Sequence, residues 1–72
     1  MAAEKTISIS VNGKSVEVNS EFTILQLLKH LEVLRPAVAV ERNGMICTHD
    51  QFDMTPIEEN DVFEIVSLVG GG

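Results

Sequence analysis

The sequence predicts an α+β domain in which a mixed sheet of four to five strands packs on one main helix. Two dipeptides, Asn12-Gly13 and Asn43-Gly44, stand between short runs of alternating apolar residues, the pattern of a tight hairpin. One segment, beginning at Ile24, switches to the helical period. The chain is 72 residues long, which leaves room for one small core between two layers.

The first strand runs from Lys5 to Val11, with Ile7, Ile9 and Val11 on one face and Ser8 and Ser10 on the other. Asn12-Gly13 suits the positive φ angles of a two-residue turn, and Lys14 to Val18 returns with Val16 and Val18 facing the same core. Ile24, Leu27, Leu28 and Leu31 then recur at i, i+3, i+4 and i+7, placing Gln26, Lys29 and His30 outside, while Leu25 widens the apolar stripe. Ser20 and Thr23 both qualify as the cap of this helix. Its end is expected around Glu32 to Leu34, because Pro36 cannot continue it and also restricts Arg35.

Ala37 to Glu41 alternates again, with Val38 and Val40 inward, and Met45-Ile46-Cys47 after the second turn is long enough only for a short strand. From Thr48 to Asn60 the alternation fails, so a wet connection is expected, with Phe52, Met54 and Ile57 tacking it to the core. Pro56 excludes a long helix there. Asp61 opens the last strand, in which Phe63 and Ile65 point inward while Glu64, Val66 and Leu68 point the other way. The most compact sheet puts the first and last strands side by side and parallel near the middle, with the hairpins flanking them.

Composition narrows the function. Five basic residues face eleven acidic ones, and the formal charge of −6 disfavours nucleic acid and favours a basic protein surface. No apolar run approaches the roughly 20 residues needed to span a bilayer, so no membrane partner is expected. The N-terminus lacks the features of a signal peptide and the single cysteine cannot form an internal disulfide, which makes a cytoplasmic location the default. His49, Asp50 and Asp53 have no metal-site spacing, and no glycine-rich loop joins a strand to a helix, so neither a metal nor a cofactor is expected on this chain. Cys47, with His49 two positions along, reads as a small, partly buried hydrophobe, and no independent enzyme activity is expected.

The last stretch, Val66-Ser67-Leu68-Val69-Gly70-Gly71-Gly72, carries the strongest functional signal. Residues 1–69 are expected to form the domain and residues 70–72 a mobile tail bearing a reactive carboxylate, because glycine loses the most freedom on ordering and an unpacked terminus stays poorly ordered. Lacking Cβ atoms, Gly70, Gly71 and Gly72 fit a narrow channel in a partner and span at most about 10 Å. Val66 and Leu68, apolar on the outer face beside that tail, are expected to dock a partner.

With its element order and its tail, the chain resembles the ubiquitin-like β-grasp proteins. The stretches Ala37-Val38-Ala39-Val40-Glu41-Arg42-Asn43-Gly44, Pro56-Ile57-Glu58-Glu59-Asn60-Asp61 and Val69-Gly70-Gly71-Gly72 resemble the ThiS-family sulfur carriers of thiamine biosynthesis over residues 5 to 72. Molybdopterin-synthase small subunits are the neighbouring family, and the proline that often precedes their Gly-Gly is absent here.

The resemblance implies that a ThiF/MoeB-type adenylating enzyme uses ATP and Mg²⁺ to convert the Gly72 carboxylate to an acyl-adenylate. Sulfur from a cysteine desulfurase or sulfurtransferase then yields a thiocarboxylate, and thiazole synthase (ThiG) accepts it. It further implies that Gly70 and Gly71 pass through the partner's tunnel, that Val66, Leu68 and Val69 are gripped by the partners, and that Glu64 steers toward basic patches. The same tail would serve a carrier for molybdopterin or another sulfur-containing metabolite, or a ubiquitin-like protein modifier.

Overall fold

Each Asn-Gly dipeptide turns the chain with both residues at positive φ, 52° and 85° in either case, the type I′ geometry that matches the twist of the strands it joins. In the computed structural model, which describes residues 5–67, the elements are β1 (Thr6–Val11), β2 (Lys14–Asn19), α1 (Ile24–His30), β3 (Val38–Arg42), β4 (Met45–Cys47), a 3₁₀ turn (His49–Gln51) and β5 (Val62–Ser67). The sheet order is β2-β1-β5-β3-β4. β1 and β5 are parallel at its centre, while β2, β3 and β4 pair antiparallel. This is the β-grasp arrangement that the sequence predicts, with five strands.

The inward residues of the strands meet α1 in one core. Ile9, Val18, Val38, Val40, Phe63 and Ile65 from the sheet pack with Ile24, Leu27 and Leu28 from the helix. Phe52 and Ile57 from the long connection complete it, whereas Met54, also expected to tack that segment down, is 70% exposed. The reason lies in backbone pairing: Leu25 N donates to Phe52 O at 2.9 Å, Ile24 N to Thr55 O at 2.9 Å, and Ile57 N to Phe22 O at 3.1 Å. The bonds from Ile24 and Leu25 satisfy the first N–H groups of the helix, which lack intrahelical partners, and all three hold the connection where only Phe52 and Ile57 reach the core.

Thr23 caps α1, with Gln26 N donating to Thr23 Oγ1 at 3.3 Å and Thr23 N donating to Gln26 Oε1 at 2.9 Å, a reciprocal capping box. The helix ends at His30, earlier than Pro36 alone would require. Glu32 takes φ 61° at the position after the cap. Glu32 N then donates to Lys29 O at 3.1 Å and Val33 N to Leu28 O at 3.0 Å, the two bonds of a Schellman end. Local carbonyl satisfaction stops the helix before proline can.

Leu68, Val69, Gly70, Gly71 and Gly72 lie outside the described residues. No helix among the described residues is long and apolar enough to cross a membrane.

Candidate functional site

β5 is the strand from which the chain continues toward the glycines, and its surroundings define the candidate site. β1 ends opposite Phe63, so Glu64–Ser67 run beyond their parallel neighbour. The side chain of Asn12 fills the place where β1 would continue: Ile65 N donates to Asn12 Oδ1 at 2.8 Å, and Asn12 Nδ2 donates to Ile65 O at 3.1 Å. The primary amide thus imitates a backbone unit.

At the other end of the strand the second turn repeats the device. Val62 N donates to Asn43 Oδ1 at 2.9 Å, and Asn43 N donates to Val62 O at 2.7 Å. Both turn asparagines therefore pin the strand that leads to the tail.

Asp61 stands just before β5 and is the buried acid among the described residues. Its carboxylate accepts from Arg42 Nε at 2.9 Å, Asn43 Nδ2 at 3.0 Å and Glu58 N at 2.8 Å. A carboxylate taken out of water is tolerated when its oxygens are paired and hydrogen-bonded in this way. The arrangement ties the β3–β4 hairpin to the start of β5. The sequence places Asp61 only as a strand opener, and its spacing from Arg42 carries no local signal of the pairing.

Replacing Asn12 with glycine keeps the turn, because glycine also accepts φ 52°, but deletes both amide bonds to Ile65. We expect a loss of about 1–3 kcal/mol, two net hydrogen bonds, together with faster amide exchange at Ile65. Unchanged protection at Ile65 would show that the Asn12 amide does not hold the strand.

Of the partner-binding residues expected from sequence, Glu64 and Val66 lie on the outward face of β5, away from α1, while Leu68 and Val69 fall outside the described residues, as do Gly70, Gly71 and Gly72. The structure adds residues from neighbouring strands that local pattern does not bring together. Ala39 lies opposite Val66, and Glu41 lies opposite both Glu64 and Ile46. Ile46 and Val66 are 69% and 52% exposed.

Among the described residues the side-chain contacts of Cys47 and His49 go elsewhere, Cys47 Sγ to the Met45 carbonyl at 4.0 Å and His49 to Val38. His49 Nε2 lies 2.7 Å from the Val38 carbonyl, which can only accept, so this nitrogen carries the proton, and the ring stacks on Phe52. Burial pushes the Cys47 thiol up, against the opposing influence of Arg42, which leaves it a thiol at neutral pH. Among the described residues no three His, Cys, Asp or Glu side chains gather as a metal site would require.

Known proteins share this architecture along nearly the whole chain. The ThiS family model matches residues 5–72. The sulfur carrier protein ThiS of Bacillus subtilis is 35% identical over 65 residues, which span 89% of this chain and 98% of that protein. A crystal structure of the thiamine biosynthesis protein ThiS from Geobacter metallireducens superposes with a TM-score of 0.78 at 32% identity, covering 92% of this chain and all of that one. A thiazole synthase of Paramagnetospirillum magneticum is 32% identical over 66 residues, which span 92% of this chain but 20% of that protein.

Proposed function

The chain belongs to the ThiS family, and from that membership we propose that it is the sulfur carrier of thiamine biosynthesis, a protein co-substrate whose Gly72 carboxylate receives sulfur as a thiocarboxylate. The observation that carries the reading is the match to that family along residues 5–72, which includes the three glycines.

A carboxylate, with a reference α-carboxyl pKa of about 3.3–3.7, is ionised at neutral pH and resists nucleophilic attack. Activation proceeds through attack of a Gly72 carboxylate oxygen on the α-phosphorus of ATP held by a ThiF/MoeB-type enzyme with Mg²⁺, and pyrophosphate leaves. Persulfide sulfur from a cysteine desulfurase or sulfurtransferase then attacks the acyl carbon and displaces AMP. Reductive cleavage of the resulting acyl disulfide by a thiol leaves the thiocarboxylate.

In this scheme the chain contributes binding and delivery. Gly70 and Gly71 permit close approach of the partner to the backbone, since neither carries a Cβ. Glu64, Val66, Leu68 and Val69 form the surface by which partners hold the domain, and the acidic balance of the chain favours partners with basic patches. Thiazole synthase (ThiG) is the proposed acceptor, and the likeness of this chain to a segment of one thiazole synthase supports it. A cytoplasmic location accords with these partners.

The test is intact-protein mass after incubation with ATP, Mg²⁺, the cognate adenylating enzyme and a sulfur source. A gain of about 16 Da located at Gly72, the exchange of oxygen for sulfur in terminal acyl chemistry, is expected. No gain with an active enzyme would overturn the reading.

A further inference from the structure

The outward face of the sheet across β4, β3 and β5 carries charge that the isolated fold does not use. Glu41 and Glu64 are direct cross-strand partners, and Ile46 continues the same row on β4. Side chains directly opposite in an antiparallel pair have Cβ atoms about 4.5–5.5 Å apart, and like charges so placed are destabilising. Among the described residues neither carboxylate is in an ion pair, and Arg42 is committed to Asp61 and Glu58.

Around the two carboxylates the surface is apolar. Ala39, Ile46 and Val66, together with Glu41 and Glu64, line a depression of about 120 Å³. A guanidinium is planar, always charged, and presents five donors, so it can bond two carboxylates at once, while its methylene stem covers apolar surface. An ammonium would meet the same charge without the fork.

Resting on the carrier reading, we propose that this face docks a basic partner protein through one arginine seated between Glu41 and Glu64, with its stem over Ala39, Ile46 and Val66. The occupant is the enzyme that activates the tail, since that enzyme must hold the domain while the terminal carboxylate sits at its nucleotide. The like-charge repulsion of the free carrier is relieved in the complex and returns on release, which favours turnover between partners.

The experiment measures affinity for the cognate adenylating enzyme as a function of salt, for wild type, Glu41→Gln and Glu64→Gln, with thermal melting of each free carrier. Both substitutions keep size and remove charge. Each is expected to weaken binding roughly tenfold or more and to flatten its salt dependence, because a desolvated charge pair is lost, while the free carrier melts no lower than wild type. Wild-type affinity and salt slope in both variants would overturn the proposal. Loading of wild type, followed by mass in the same samples, separates the two readings. If wild type is loaded and the variants bind normally, the arginine site falls and the carrier role stands. If wild type is neither bound nor loaded, both fall.

Discussion

Adding one residue after Gly72 is expected to abolish thiocarboxylate formation while leaving the fold intact. The added residue moves the terminal carboxylate by about 3.3–3.6 Å along an extended chain. Attack on phosphorus needs the reacting atoms held about 3–3.5 Å apart and aligned, and a misplacement of about 1 Å already costs on the order of a hundredfold in rate. A displacement of several ångströms, with a side chain in the narrow channel that we propose admits the glycines, leaves no productive pose. The assay is intact mass under single-turnover conditions with excess adenylating enzyme. Circular dichroism serves as the control for folding. Loading of the extended protein at the wild-type rate would disprove the role given to Gly72.

The largest effect on stability is expected from Phe63→Ala. Phe63 is fully buried on the central strand, paired with Val11 on one side and Arg42 on the other. Truncating a buried phenylalanine costs about 3–5 kcal/mol, the lost transfer energy plus the cavity left behind. A domain of this length has a total stability of roughly 4–11 kcal/mol at the usual value per residue. The variant therefore loses between about a quarter and all of that stability, and its melting temperature should fall by roughly 12–40 °C. Val66→Ala, on the same strand but facing outward, should change stability by no more than about 0.5 kcal/mol. A Phe63→Ala melt within a few degrees of wild type would contradict the packing described for β5.

These two expectations separate what each face of one strand does. The inward face of β5 holds the domain together, and the outward face stays exposed. Alternation alone assigned Phe63 and Ile65 inward and Glu64 and Val66 outward, and the structure agrees. The same period of two placed Ile9, Val18, Val38 and Val40 in the core, and the helical period did so for Ile24, Leu27 and Leu28. Met54 broke the expectation because the connection is positioned by its backbone bonds to the start of α1, and apolar character by itself says nothing about those.

Of the outward face, the exposure of Glu64 and Val66 was legible in the sequence, while Ala39, Glu41 and Ile46 were not assigned to it, and the glycines lie outside the described residues. Their strands were recognised, but the outward face becomes a surface only when β3, β4 and β5 are set in register. Glu41 lies opposite Glu64 because Val40 pairs with Ile65, and no residue-level preference near Glu41 encodes that alignment.

The sequence by itself determined the order of the strands and the main helix, most of the residues that face the core, the two tight Asn-Gly turns and the family. All of these rest on local backbone preference, side-chain periodicity and motif. Only the tertiary structure decided that Asn12 and Asn43 hold β5 as well as turning the chain, that Asp61 anchors the second hairpin, and that two glutamates stand side by side on an apolar face. Asn12 and Ile65 are 53 positions apart, Arg42 and Asp61 19. The first contact requires β1 to lie beside β5 and the second requires β3 to lie beside β5, alignments that no run of neighbouring residues encodes.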